Sequence, residues 1–246
     1  MRYLVLSDIH GNWEGLEAVL KHADGLYDEI LCGGDLVGYC ADPNPVVDWI
    51  RSNVKVVIRG NHDKVCAGVE SFEWFNPMAQ AAALWTQQQL TDESLEYLRN
   101  LPKGPARIAG FQLLHGSPAD EDEYLINSSD IAQITAYVDC PLSFFGHTHM
   151  QGGFFWGPNG VHRINKTPDD CEQWIVEVDD DTFYLANPGS VGQPRDNDPR
   201  AAYLIYDDAE RALAYRRTPY DIRTAQEKIR RAGLPDLLAR RLDRGA

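Results

Sequence analysis

Three short apolar runs open the chain, Arg2 to Ser7, Glu29 to Cys32 and Val54 to Ile58, and each leads within a few residues to a polar side chain capable of chemistry: Asp8, Asp35 and Asn61. Between them, Trp13 to His22 and Val46 to Arg51 carry apolar residues at helical spacing, so the opening reads as β-α-β-α-β. Such alternation predicts parallel strands with helices packed on their sheet. Ligands then gather where the carboxyl ends of the strands meet their loops, which is where Asp8, Asp35 and Asn61 fall.

The arrangement recurs further on. Phe111 to Leu114 runs into His115, and Leu142 to Phe145 runs into Gly146-His147-Thr148-His149, with a helix predicted from about Ser129 to Val138 between them. Asn76 to Leu101 is helical in pattern, with Thr91, Asp92 and Glu93 as a helix start and Leu101-Pro102 as a stop. After Gln151 the pattern changes to short β-type runs (Gly153 to Trp156, Trp174 to Val178, Phe183 to Leu185, Ala202 to Tyr206, Leu213 to Arg216), which predict a second, largely antiparallel sheet. The stretch from Tyr220 to Gly245 is basic and helix-prone, broken at Gly233 and Pro235, and reads as a solvated packing helix.

The 246 residues suffice for one domain with a substantial core, and we take 1–246 as a single domain. With 43% hydrophobic and 24% charged residues, neither disorder nor a fibrous class is favoured. The 23 Lys and Arg against 37 Asp and Glu leave a formal charge of −14, which would repel a long polyanion and disfavours a long nucleic acid as partner. The same charge would repel a phosphate substrate too, unless fixed cations reverse the local potential. Five scattered cysteines without a C-x-x-C pair (Cys32, Cys40, Cys66, Cys140, Cys171) read as reduced thiols. The apolar start is cut off at Asp8 and no run approaches a membrane span, so the expectation is a cytoplasmic protein with no membrane partner. The oligomeric state has no signature in the sequence.

Of seven histidines, five sit in compact polar motifs: Asp8-Ile9-His10, Gly60-Asn61-His62-Asp63, His115-Gly116 and Gly146-His147-Thr148-His149, to which Gly34-Asp35 adds a carboxylate. Singly each motif is weak, because a lone buried histidine is more often a hydrogen-bonded core group than a ligand. Five in order are a stronger signal. Residues two apart in an extended segment face the same side, so Asp8 with His10, and His147 with His149, can each present two ligands to one place. Mixed oxygen and imidazole donors suit divalent first-row ions such as manganese, iron, zinc or nickel. Seven candidate ligands, Asp8, His10, Asp35, Asn61, His115, His147 and His149, exceed what one tetrahedral ion needs. Two ions roughly 3.5–4 Å apart would share a bridging carboxylate, for which Asp35 is the natural candidate.

In this order the motifs resemble those of the calcineurin-like metallophosphoesterase superfamily, D-x-H, G-D, G-N-H-[DE], H and G-H-x-H, across Asp8 to His149. The resemblance implies an α/β architecture: a four-layer αββα sandwich of two mixed β-sheets with a dinuclear metal site at the loop ends. It also implies that Asp8, His10, Asp35 and His149 hold one ion, that Asp35, Asn61, His115 and His147 hold the other, and that His62 is the catalytic histidine beside them. Asn187-Pro188-Gly189-Ser190 and Gln193-Pro194-Arg195-Asp196 resemble the small bacterial and archaeal phosphodiesterase-like branch. Gly34-Asp35-Leu36-Val37-Gly38-Tyr39-Cys40 departs from the G-D-x-x-D-R-G of the protein phosphatases, which removes the Asp that would orient the catalytic histidine. His62 then needs another partner, with Asp63 as one candidate, or works without one. Arg195 is a candidate for binding substrate phosphate. Asn187 and Ser190 read as turn caps, and the aromatic runs Phe72 to Phe75 and Phe154 to Trp156 as packing.

The expected reaction is hydrolysis of phosphodiester bonds in a small phosphate-ester substrate, by in-line attack of a hydroxide held between the two ions. His62 would stabilise the transition state or protonate the leaving group. Alternatives on the same site are a phosphomonoesterase and a dinucleoside polyphosphate hydrolase. A catalytically lapsed protein-binding scaffold is the non-enzymatic one, against which the intact ligand set argues.

Overall fold

Alternation along the first strand, β1 (Arg2–Leu6), sets the layering. Successive side chains leave a strand on opposite faces, so Leu4 and Leu6 join one apolar cluster while Tyr3 and Val5 join another. A strand buried on both faces belongs in the middle of a sheet covered on both sides. The computed structural model, which describes residues 1–108, 110–164 and 173–246, places it there. Cys171 lies outside the described residues; Cys32, Cys40, Cys66 and Cys140 are free, buried thiols.

From β1 the chain passes through α1 (Trp13–His22) to β2 (Glu29–Cys32), and through α2 (Pro43–Asn53) to β3 (Val56–Val57), all three strands being parallel. The short α3 (Asn61–Cys66) follows, then α4 (Pro77–Gln89) and α5 (Asp92–Asn100), each started by a side-chain cap: Asn76 for α4 and Thr91 for α5. The strands β4 (Ala106–Ile108) and β5 (Phe111–Leu113) lead through α6 (Ser128–Ile134) to β6 (Leu142–Phe144). Six more follow: β7 (Gly152–Gly157), β8 (Gly160–Ile164), β9 (Gln173–Glu177), β10 (Phe183–Asn187), β11 (Ala201–Asp207) and β12 (Ala212–Thr218). The basic C-terminal stretch forms α7 (Ile222–Arg231) and α8 (Asp236–Leu242), broken where Gly233 and Pro235 stand.

Two six-stranded mixed sheets result, ordered β3-β2-β1-β11-β12-β9 and β4-β5-β6-β10-β7-β8. The second half of the chain therefore does not build a separate antiparallel sheet, as its pattern had suggested. Its strands divide between both sheets: β11, β12 and β9 extend the first, while β10, β7 and β8 extend the one begun by β5 and β6. Local alternation reports that a segment is a strand, not which distant strand it will pair with, and Tyr3 opposite Tyr206 is such a distant pairing.

Between the sheets Tyr3, Val5, Leu204 and Tyr206 meet Phe111, Leu113, Phe144 and Tyr184. Each such side chain, when fully buried, contributes roughly 1.5–3 kcal/mol. Helices α1, α2, α7 and α8 cover the outer face of the first sheet through Leu16, Val47, Ile229 and Leu238. Ile131 and Ile134 of α6 cover the second sheet at Phe145, Phe154 and Leu185. The layers are thus α, β, β, α. Among the described residues no helix is long and apolar enough to cross a membrane.

Candidate metal centre

Five parallel strands from the two sheets end at one place. Asp8 and His10 follow β1, Asp35 follows β2, Asn61 follows β3 at the start of α3, His115 follows β5, and His147 and His149 follow β6. The loops are zipped together by the main chain: Asp8 N donates to Gly34 O at 3.0 Å, His10 N to Asp35 O at 2.9 Å, and Gly11 N to Leu36 O at 2.8 Å. Across the gap between sheets, His147 N donates to both carboxylate oxygens of Asp8, at 3.1 and 3.2 Å.

Asp8 and His10 converge for a reason other than an extended backbone. Their φ angles are +55° and +52°, and Asp35, His147 and His149 lie at +54°, +65° and +59°. The left-handed region costs a non-glycine residue roughly 1–2 kcal/mol, least for Asp and Asn. Five such residues in one buried site mark a backbone shaped for its ligands rather than for local ease. The strands stop before these residues, and the chain curls so that alternate side chains turn inward. His147 and His149 also do not serve one place. Ligand atoms of Asp8, His10, Asp35 and His149 lie within 4.8 Å of one another, and those of Asp35, His115 and His147 do likewise, so the two histidines fall in different groups.

Asp35 belongs to both groups. Its Oδ2 lies 3.5 Å from His10 Nε2 and 3.5 Å from His115 Nε2, while its Oδ1 accepts from His62 N at 2.8 Å. Close packing permits this: a Cβ on Gly60 would stand 2.1 Å from Asp35 Oδ1. Asn61 Oδ1 completes the second group at 3.2 Å from His115 Nε2.

The imidazoles are set by main-chain oxygens. His10 Nδ1 donates to Val37 O (2.9 Å), His149 Nδ1 to Gln193 O (2.6 Å), His115 Nδ1 to Gly33 O (2.8 Å) and His147 Nε2 to Asp122 O (3.0 Å). In a neutral ring the other nitrogen then carries a lone pair. His10 Nε2 and His149 Nε2 consequently face each other at 3.0 Å with no proton between them. Two lone pairs at that distance repel unless a cation takes both. Burial pushes His10 and His149 well below the usual histidine range, so a proton is disfavoured as that cation. At His115 burial also opposes charge, but Asp35 and Asp8 lift it to about 10, so a proton or a metal ion can satisfy that position. Burial raises Asp8 to about 7. Asp35 is buried too, yet His115, His62 and His10 hold it well below the carboxylate range. The donor set fits divalent first-row ions.

His62 lies beside the groups, its ring 4.8 Å from His10, 4.4 Å from Tyr39 and 4.5 Å from Phe75. Burial lowers it to about 4, further helped by Arg195. Asp63 is not its partner. That carboxylate accepts from Gly60 N (2.9 Å), Leu36 N (2.8 Å) and Val37 N (3.3 Å), bracing the Asp35 loop against α3. His62 Nδ1 is buried without a hydrogen bond, against Gly38, where a Cβ would approach it to 2.5 Å.

Arg195 stands at the rim, its guanidinium 5.5 Å from the Tyr39 ring centre, with Nη2 donating to Gln193 Oε1 at 3.1 Å and Nε buried without a partner. Asn187 and Ser190 brace loops: Asn187 Nδ2 donates to Gly146 O and Thr148 Oγ1, and Ser190 Oγ to Asp8 O. Phe154 and Trp156 are core, whereas Phe75 reaches the site. Sequence reasoning did not separate Tyr124, whose ring centre lies 3.8 Å from that of His147, from ordinary packing, and it passed over Lys64, whose Nζ meets Glu70 at 2.7 Å, Glu121 at 3.2 Å and Asp122 at 2.5 Å. Nearness to the ligand loops was the only signal for the tyrosine.

Residues 1–210 match the family described as the calcineurin-like phosphoesterase superfamily domain. The chain belongs to that superfamily. It is similar to an uncharacterized protein of Methanocaldococcus jannaschii, 36% identical over 244 residues, covering 97% of this chain and 96% of the relative. The crystal structure of a metallophosphoesterase from Sphaerobacter thermophilus superposes with a TM-score of 0.86 at 37% identity, over 100% of this chain and 99% of that one. A hypothetical protein from Pyrococcus horikoshii OT3 superposes at 0.78 over 100% and 98%, a likeness of fold alone at 19% identity. Membership makes the chain a hydrolase of phosphoester bonds from a family that uses divalent metal ions.

Proposed function

We propose that this chain, acting as one domain over 1–246, hydrolyses phosphodiester bonds of a small substrate with two divalent ions. Asp8, His10, Asp35 and His149 would hold one ion, and Asp35, Asn61, His115 and His147 the other. The observation that supports the proposal is Asp35 Oδ2, which lies 3.5 Å from the Nε2 of His10 on one side and of His115 on the other. When bound, such ions supply Lewis acidity at the phosphoryl oxygens and lower the pKa of water towards neutrality.

The protein's own part is orientation. Val37, Gln193, Gly33 and Asp122 fix each ring by a main-chain oxygen, so little reorganisation is left for the moment of reaction. His62 has Nδ1 sealed against Gly38, which leaves Nε2 as the ring atom able to exchange a proton with the leaving oxygen. Arg195, with an unpartnered Nε and a guanidinium over Tyr39, would hold a phosphoryl oxygen.

Elemental analysis of purified protein, paired with hydrolysis of matched chromogenic diester, monoester and anhydride substrates in manganese, tests this. Two ions per chain, a preference for the diester and loss of rate on chelation are expected. One ion per chain would remove the bridging role of Asp35. A preference for monoester or anhydride would move the assignment to those substrates, and a metal-free protein that cannot be reconstituted would favour the scaffold.

A further inference from the structure

Alternation along β12 carries a charge into the core. Leu213 and Tyr215 face the other sheet as part of the apolar cluster between the layers, and Arg217 continues their row at 1% exposure. A guanidinium there loses its hydration, and an apolar side chain of similar volume would serve such a core as well or better. The arginine is therefore explained by what it binds. It lies beyond residues 1–210, the segment that matches the superfamily.

All three nitrogens of the guanidinium donate. Nε reaches Gln151 Oε1 at 2.9 Å, Nη1 the main-chain oxygen of Asp198 at 3.2 Å, and Nη2 the carboxylate of Asp196. Gln151 and Asp196 are themselves joined, since Gln151 N donates to Asp196 Oδ2 at 3.0 Å. Gln151 stands shortly after His149, and Asp196 directly follows Arg195. The same two segments meet again nearer the centre: Arg195 N donates to His149 O at 3.2 Å, and His149 Nδ1 to Gln193 O at 2.6 Å. Gln151 also holds the start of the loop, its Nε2 donating to Pro188 O at 3.1 Å. One buried side chain thus locks the segment after β6 to the loop that carries Arg195.

We propose that Arg217 is a positioning residue of the active site: through Asp196 and Gln151 it fixes the direction of Arg195 relative to the metal centre. His149 has an anchor of its own in Gln193 O. Arg195 is held less firmly at its side chain, where Nη2 donates to Gln193 Oε1 and Nε is buried without a hydrogen bond. Its aim is set by its main chain, pinned at His149 O and, through the next residue, at Arg217. The inference rests on the hydrolytic reading of the centre, in which Arg195 holds a phosphoryl oxygen.

The test is a double-mutant cycle between Arg217→Lys and Arg195→Ala in manganese-loaded protein, read as kcat/KM on a chromogenic ester and as orthophosphate affinity by calorimetry. Lysine keeps the charge, but its single nitrogen cannot meet Gln151, Asp196 and Asp198 together. With Arg195 in place, Arg217→Lys should lower both quantities about tenfold, and in the Arg195→Ala background by under about twofold, as expected of residues that act through one another. Metal content by elemental analysis should match wild type throughout the cycle. Asp196→Asn, which leaves Arg217 in place, should repeat the pattern, and it replaces Arg217→Lys if that variant fails to fold. No loss with Arg195 present, equal losses in both backgrounds, or a loss that follows metal content would make Arg217 a packing residue and overturn the inference. An Arg195→Ala protein with wild-type rate and affinity would do the same. Coupled loss of orthophosphate affinity in a chain that hydrolyses no ester would sink the hydrolytic reading alone.

Discussion

At the scale of the residue, the division of labour between His62 and the ligand histidines makes a sharp prediction. His62 donates no atom to either ligand group and has no carboxylate to orient it. His62→Ala should therefore lower kcat by about 10²-fold or more, the usual worth of a positioned acid or base, while leaving two ions bound; the pair of measurements is turnover and elemental analysis on one preparation. A variant with wild-type turnover, or one that loses its metal, would remove the role. Gly60→Ala addresses the neighbouring carboxylate. Its methyl group would have to displace Asp35 Oδ1, so metal affinity should fall at both positions together, and a titration that loses only one ion would contradict the shared role of Asp35. That Asp8, His10, Asp35, His115, His147 and His149 would gather was legible in the sequence, because each stands in a polar motif directly after an apolar strand. The oxygens of Gly33, Val37, Asp122 and Gln193 were not, since a main-chain carbonyl belongs to every residue and leaves no mark in composition. The left-handed turns at Asp8 and His10 were hidden for a related reason: two-residue spacing looks the same in a strand and in a curled loop.

At the scale of the element, α3 and the loop after β5 are held together by charge. Lys64, buried on α3, meets Glu70, Glu121 and Asp122, and Arg59 meets Glu121 at 2.8 Å. Asp122 is the residue whose carbonyl orients His147, so on the two-ion proposal this cluster would position a ligand from outside the ligand set. Removing one partner of a fully buried pair costs roughly 3–5 kcal/mol. Glu70 and Asp122 are partly exposed and Arg59 still answers Glu121, so Lys64→Met should cost less, about 2 kcal/mol by denaturant unfolding. The same variant should weaken the ion at His115 and His147 more than the one at His10 and His149, which sequential metal titration would resolve; equal weakening would make Lys64 a stability residue only. Helix α3 itself escaped sequence reading. Four of its six buried residues, Asn61 to Lys64, are polar, so no apolar stripe supplies a helical period.

At the scale of the whole molecule, buried acids and facing lone pairs make the centre a source of instability that bound cations relieve. An ion that binds only the folded state adds RT ln(1 + [L]/Kd), about 4 kcal/mol at a thousandfold excess over Kd. Thermal unfolding should accordingly move to higher temperature with manganese and fall back on chelation. An unchanged Tm would mean that the ions contribute nothing to the fold. The layered architecture could be read in advance from strand and helix periods, but the division of the later strands between two sheets could not, because pairing across two hundred residues is decided by shape and not by local pattern.

That division has a temporal meaning. Strand β1 lies between β2 and β11, and β11 begins only at Ala201. Gln193 and Ser190, which hold His149 and the main chain of Asp8, come shortly before it. A nascent polypeptide emerging from the ribosome therefore carries Asp8, His10 and Asp35 long before the strand that closes over them exists. On the two-ion proposal, metal loading would be a late event in the life of each molecule, and chains arrested before Ala201 should emerge without a pair of ions.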